Sequence, residues 1–181
     1  LMIRRPPRST QSSSSAASDV YKRQQYNIGL MYENGDGGAK DKTKAFYWYQ
    51  KAAEQDVAKA QVALGSLYMN GDGIQQDIMK AKFWYEKAAE QEDAFAQFNL
   101  GLLYDSKSIS EDKTQAIYWY QKAAEQGIAD AQYNLGALYE SGEGVPQDYS
   151  KAKYWYEMAA KTGDTGAKQA LKDLKQMMMK K

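Results

Sequence analysis

The sequence predicts an all-α protein, a solenoid of four helix-turn-helix repeats of about 36 residues followed by a C-terminal capping helix. Three observations carry that reading. The nine residues YWYQKAAEQ occur at 47–55 and again, unchanged, at 118–126, with close variants from Phe83 and Tyr154. The tryptophans Trp48, Trp84, Trp119 and Trp155 are spaced 36, 35 and 36 residues apart. A second string keeps the same beat, beginning at Asn27, Ala63, Asn99 and Asn134. Self-similarity at a period between about 20 and 50 residues marks a repeat architecture.

The second string of each copy reads as a helix. Ala81, Trp84, Tyr85, Ala88 and Ala89 fall on one helical face, with Lys80, Lys82, Glu86 and Lys87 on the other. An aspartate stands four residues before the first alanine of each such helix: Asp41, Asp77, Asp112 and Asp148. There it can accept from the free N–H groups of the first turn, and its charge suits the helix dipole. The helical phase of the tryptophans with the alanines places them in the core rather than in a ligand cage.

The first string behaves alike, with Ala96, Leu100, Leu103 and Tyr104 on one face. Gly29, Gly65, Gly101 and Gly136 sit in mid-helix, where glycine costs about 1 kcal/mol against alanine. Close approach of the neighbouring Trp-Tyr pair is the expected compensation. The connectors NGDG, NGDG and SGEG are turn sequences, and they lack the ordered carboxylates of a calcium loop. Copy three has Ser106-Lys107-Ser108 instead and is one residue shorter, so a different path is expected there. At the end of the chain Ala167, Leu171 and Leu174 continue the first-helix pattern, while Lys172 and Lys175 replace the glycine and tyrosine. A terminal helix that turns a solvated face outward has this pattern.

Residues 1–23, rich in Ser, Arg and Pro, fall outside the repeat and are expected to be disordered. The stretch resembles a non-native, adapter-derived tail, so an authentic N-terminus with any signal peptide is expected to be missing. The organisation read from the sequence is therefore a tail at 1–23, repeats at 24–57, 58–93, 94–128 and 129–164, and a cap at 165–181.

Composition limits function. The chain has no cysteine and no histidine, which removes disulfides, thiol nucleophiles, imidazole bases and nearly all zinc sites. No apolar run reaches the roughly 18 residues of a membrane span. Without residues 1–23 there are 19 basic against 22 acidic residues, a net charge of −3, which gives no support to nucleic-acid binding. No catalytic, cofactor or metal site is expected.

One stripe on the first helices varies from copy to copy while the core positions barely change. It holds Tyr26, Leu30 and Glu33 in copy one, and Lys59, Val62, Ser66 and Met69 in copy two. Copy three has Phe95, Phe98, Leu102 and Asp105, and copy four has Asp130, Tyr133, Ala137 and Glu140. Asn27, Asn99 and Asn134 lie beside it, able to donate to and accept from a peptide backbone. A solenoid repeats what stacking needs and varies what faces a ligand. The alternative is that Phe98 and Tyr133 only complete the packing between helices.

The string A-x-x-x-L-G-x-L-Y-x-x-G-x-G, followed by D-x-x-K-A-x-x-W-Y-x-K-A-A-E-Q, resembles the Sel-1-like repeat, a relative of the tetratricopeptide repeat. The period, the GxG connector and the AAEQ ending carry the resemblance, which covers residues 24–181. It implies a right-handed α/α solenoid whose first helices line a concave groove. It also implies scaffold or adaptor work on a protein or peptide partner, by a soluble monomer in a bacterial cytoplasm or periplasm. Cysteine-rich relatives have been linked to β-lactam hydrolysis, and Ser110-x-x-Lys113, Ser150-x-x-Lys153 and Lys161-Thr162-Gly163 mimic fragments of that signature. No Ser-Asp-Asn accompanies them and the paired cysteines are absent, so a hydrolase stays the alternative. A self-assembling structural role is the third reading.

Overall fold

A computed structural model describes residues 9–106, 109 and 112–179. Nine α-helices follow one another among them, with no strand. The chain divides into two compact units, Leu1–Trp84 and Tyr85–Lys181.

The first unit holds α1 (Ser9–Asn34), α2 (Lys42–Ala53), α3 (Ala58–Asn70) and the first half of α4 (Ile78–Glu90). In it α1 packs on α2 and α2 on α3. Its core is Ala45, Tyr49, Ala52, Ala53, Ala60, Leu64 and Leu67, with half-buried Tyr26, Leu30 and Trp84 against it.

Helix α1 begins well before the repeat. The composition of residues 1–23 predicts disorder; helix runs from Ser9, and residues 1–8 of that stretch lie outside the description. The reason is local. No glycine or proline stands between Pro7 and Gly29, and a helix already nucleated by packing extends with one new hydrogen bond per residue fixed. The extension buries little, since Val20 and Tyr21 stay more than half exposed.

The second unit holds the rest of α4 with α5 (Ala94–Asp105), α6 (Lys113–Glu125), α7 (Ala129–Ser141), α8 (Tyr149–Lys161) and α9 (Thr165–Met179). From α5 onward each helix packs on the next in sequence. One cluster joins Ala116, Tyr120, Ala123 and Ala124 of α6 to Ala131, Leu135 and Leu138 of α7. A smaller one joins Ala152 and Tyr156 of α8 to Leu174 of α9. Lys172 and Lys175 are exposed.

The second helices start as their aspartates dictate. The carboxylates of Asp41, Asp112 and Asp148 cap α2, α6 and α8, and Asp77 accepts from the Lys80 N–H in the first turn of α4. Those hydrogen bonds hold the Asp41 and Asp77 carboxyls below the usual carboxylate range.

The tryptophans are not the buried aromatics. All four are half-buried, and the tyrosine that follows is the core residue: Tyr49 and Tyr120 are fully buried and Tyr156 nearly so. Tyr49, Tyr120 and Tyr156 each fill the notch left by a mid-helix glycine. A Cβ on Gly29 would come within 2.5 Å of the Tyr49 ring, and one on Gly136 within 2.7 Å of Tyr156. Gly101 meets Tyr120 in the same way. Two of the tryptophans lean backward instead. Trp84 rests on the α2–α3 cluster and Trp155 on the α6–α7 cluster. A ring of that size bridging two helical pairs keeps one edge in water, which the helical phase alone does not reveal.

In the connectors the first glycine ends the helix in the left-handed region, with φ of 73° at Gly71 and 77° at Gly142. The second glycine, Gly73 or Gly144, has φ of 74° and lies against the first residue of the preceding copy's second helix, Lys42 or Lys113. The acid between the glycines pairs with that lysine, Asp72 with Lys42 and Glu143 with Lys113. Copy three leaves its helix differently. Ser106 is extended at φ −91° and ψ 162°, while Lys107, Ser108, Ser110 and Glu111 lie outside the described residues.

A buried glutamine recurs at one place in each copy: Gln61, Gln97 and Gln132 follow the opening alanine, and Gln25 follows Gln24 in copy one. Gln61 and Gln132 donate to the carbonyls of Ala53 and Ala124, the ends of the preceding second helices. Gln25 and Gln97 accept from Gln55 and Gln126, the residues just past the second helices of their own copies. Copy four has Thr162 at that place. Its hydroxyl bonds the Ala159 carbonyl, and the Gln132 carbonyl oxygen is left buried without a partner.

Candidate functional site

The variable stripe is built on the first helices, and each unit carries its own part. In the first unit Tyr26 and Leu30 of α1 are half-buried against the core, and Asn27 is exposed. Val62 and Met69 of α3 are half-buried, and Lys59 is exposed. Tyr26 and Asn27 face Val57 and Lys59 across a cleft of about 690 Å³, flanked by Lys22, Arg23 and Asp56. That volume suits a peptide side chain or two.

In the second unit the exposed apolar members of the stripe are both on α5. Phe95 is 62% exposed and Leu102 39%. Phe98, Asn99, Tyr133, Asn134 and Ala137 are half-buried, and Asp130 is exposed. Phe95 is free to point out because it stands in the first turn of α5, where the Asp93 carboxylate accepts its backbone N–H.

The inner aromatics of the stripe share a job with the core. Tyr26 lies 5.7 Å from the Tyr49 ring, Phe98 6.0 Å from Tyr120, and Tyr133 5.6 Å from Tyr156. All three pairs are tilted, a favourable arrangement for ring quadrupoles. Tyr26, Phe98 and Tyr133 are thus lids on three of the buried tyrosines as well as surface of the stripe.

The acidic members are also engaged. The Tyr49 hydroxyl donates to Glu33, the Tyr120 hydroxyl to Asp105 at 3.2 Å, and the Tyr156 hydroxyl to Glu140 at 2.7 Å. Asp105 is bonded further to Lys113 at 2.6 Å. Burial first, and then the neighbouring carboxylate, push all three hydroxyls far above the ordinary tyrosine value. Asn134 beside the Tyr120 hydroxyl works in the opposite direction, favouring the charged phenol. Glu33, Asp105 and Glu140 of the stripe thus serve the buried tyrosines as well. A phenol at the bottom of each glycine notch needs an acceptor at the end of the first helix, and these carboxylates supply it.

The fragments that mimic a β-lactamase-type signature are not assembled. Ser150 is in the first turn of α8 and Lys161 in its last, about 16 Å apart along the axis. Ser110 lies outside the described residues. Among the described residues no three potential metal-ligating side chains come together, and no helix is long and apolar enough to cross a membrane.

Sequence reasoning missed two repeated features: the buried glutamines, and an exposed aromatic just before each tryptophan. Both recur at one fixed place in every copy, which was the available signal.

A comparison with curated proteins found no match. Among solved structures, a Sel1 repeat protein from Oxalobacter formigenes is 39% identical, covering 84% of this chain and 63% of its own, with a TM-score of 0.78. The protective antigen c5321 of uropathogenic Escherichia coli, which displays an SLR fold, is 35% identical, with a TM-score of 0.83. That match covers 88% of this chain and 34% of the antigen. The immunity protein Pa5087 of Pseudomonas aeruginosa is 27% identical with a TM-score of 0.56, covering 85% of this chain and 57% of its own. The chain thus spans less than two thirds of each of these relatives. Sel1 repeat proteins are in general protein-interaction scaffolds. With Sel1 repeats matched at residues 25–57, 58–93, 94–128 and 129–164, and the glycine–tyrosine notch built in both units, the chain belongs to the Sel1 repeat family.

Proposed function

We propose that the chain is a scaffold that holds a peptide or protein partner against the stripe on its first helices. The observation that supports this best is Phe95 with Leu102 on α5. Two large apolar side chains stand in water on a helix whose other face is fully committed to packing. The half-buried Phe98 and Tyr133 extend that apolar surface, and the exposed Asp130 of α7 favours a basic flank on the ligand. Asp105 attracts such a flank less, because Lys113 already pairs with it.

A peptide library screened against the full chain should yield apolar sequences carrying Lys or Arg. Phe95→Ala and Leu102→Ala should each weaken the selected peptides by about 1–3 kcal/mol, as aromatic and aliphatic anchors do. Both should leave the helical circular dichroism unchanged. Selected peptides that bind both variants as well as the parent would sink the reading.

A further inference from the structure

A different face of the molecule carries its own signal. Immediately before each half-buried tryptophan stands an aromatic residue open to water: Tyr47, Phe83, Tyr118 and Tyr154, between 49% and 54% exposed. The ring of each lies edge-on to its tryptophan at 4.9–5.4 Å. Exposed positions on the first helices change from copy to copy, but this one is aromatic in all four. Covering the edge of a tryptophan does not need a ring, since any long aliphatic stem would serve.

Lysine accompanies the ring. One turn after it come Lys51, Lys87 and Lys122, and copy four carries Lys161 at the end of the same helix. The Lys51 ammonium lies 4.7 Å from the Tyr47 ring centre, and the Lys122 ammonium 5.3 Å from that of Tyr118. The pattern reflects a wider segregation of charge. Helices α2, α4, α6 and α8 together hold eleven lysines against four glutamates, whereas α3, α5 and α7 hold one lysine against three acidic residues. Adding the aspartates at the starts of the four second helices still leaves eleven against eight, in a chain whose formal net charge is only +1.

We infer that the aromatic–lysine stripe of the second helices, as Tyr47-Trp48-Lys51 in the first unit and Tyr118-Trp119-Lys122 in the second, docks an acidic peptide segment. The ring takes an apolar side chain of the ligand, and the lysine takes a carboxylate next to it. Glu54, Glu90 and Glu125 stand exposed one turn further on. They would meet the unbroken charge of a phosphate backbone or an anionic bilayer, while a peptide can place its carboxylates between them.

The test uses the full chain and a fluorescein-labelled peptide of alternating glutamate and leucine, read by anisotropy. Binding is expected at low salt and should weaken at about 0.15 M, while the lysine–leucine counterpart should not bind at this face. Tyr47→Ala with Tyr118→Ala, and separately Lys51→Gln with Lys122→Gln, should each weaken the acidic peptide about tenfold. Phe95→Ala should leave that affinity unchanged, which separates this surface from the stripe on the first helices. Should the aromatic pair of substitutions lower the helicity, the lysine pair, which removes charge alone, decides. Unchanged affinity in the lysine pair overturns the inference. So does tighter binding of oligothymidylate or phosphatidylserine vesicles than of the acidic peptide.

Discussion

Copies three and four, both in the second unit, are built on one plan and differ in instructive places. Each sets a tyrosine into a glycine notch, Tyr120 at Gly101 and Tyr156 at Gly136. Each covers that ring with an aromatic of the variable stripe and ties its hydroxyl to a carboxylate. They part at the end of the second helix, where copy three has Gln126 and copy four Thr162, and along the exposed stripe, where Phe95 of copy three corresponds to Asp130 of copy four. The first difference leaves a buried oxygen unpaired, and the second costs the fold nothing visible. Sequence change is therefore tolerated or penalised according to whether the position reaches the stack.

The largest expected effect comes from removing what the copies share. Tyr120→Ala should cost about 3–5 kcal/mol in urea denaturation, as truncation of a buried aromatic does. It leaves both a cavity and an acceptor at Asp105 that has lost one donor. Trp119→Ala should cost less, because the indole is only half-buried. Tyr156→Ala should resemble Tyr120→Ala locally but unfold only α8 and α9 first, since a repeat array frays from its end. Equal losses for Trp119 and Tyr120 would mean that the two rings share the core burden.

The shared tyrosines also make an alkaline limit. Their folded-state values lie above the ordinary value of about 10, because burial and a nearby carboxylate favour the neutral phenol. A group raised in this way contributes stability that is fully present below pH 10 and is lost as pH climbs above it. Each of Tyr49, Tyr120 and Tyr156 should withdraw up to about 1.4 kcal/mol per pH unit in that range. Absorbance of phenolate followed against helicity checks this. These tyrosines should ionise only together with loss of helix, whereas early ionisation at full helicity would contradict the burial argument.

How much of this was legible beforehand depends on what a side chain's position alone can decide. The helices, the aspartate caps and the glycine notch follow from period and spacing, since each needs a particular residue at a fixed offset. Which of two adjacent aromatics fills the notch does not. Trp119 and Tyr120 differ by one helical step, and only the packed geometry assigns the smaller ring to the glycine. The stripe was legible as variable, but the partners of Asp105 and Glu140 were not, because a hydrogen bond to Tyr120 or Tyr156 spans about fifteen residues of sequence. The helical run from Ser9 to Arg23 was not legible in composition, which does not register the folded helix that the run extends.

Exchanging the residues at which the copies differ should give smaller effects. Thr162→Gln places in copy four the amide that serves Gln97 in copy three, and should pair the orphaned Gln132 oxygen. Satisfying a buried acceptor should stabilise the second unit by about 1 kcal/mol. The reciprocal Gln126→Thr should orphan Gln97 and destabilise by about 1–2 kcal/mol. A Thr162→Gln variant that melts no later than the parent would show that the orphaned oxygen costs little.

The smallest effect on stability, with the clearest effect on binding, is expected at the exposed end of the stripe. Phe95→Asp gives copy three the residue that copy four holds as Asp130. Phe95 sits 62% in water in the first turn of α5, so little packing is lost there. A carboxylate near the N-terminus of a helix is, if anything, favoured by the dipole. The unfolding free energy should therefore stay within about 0.5 kcal/mol of the parent. The same substitution removes the most exposed apolar anchor on α5 and adds a negative charge. Peptides selected for apolar character should bind it less well than they bind Phe95→Ala, while strongly basic peptides should recover part of the loss. If Phe95→Asp instead unfolds α5, the side chain belongs to the packing. If it binds every selected peptide as the parent does, the difference between the copies at this position has no bearing on recognition.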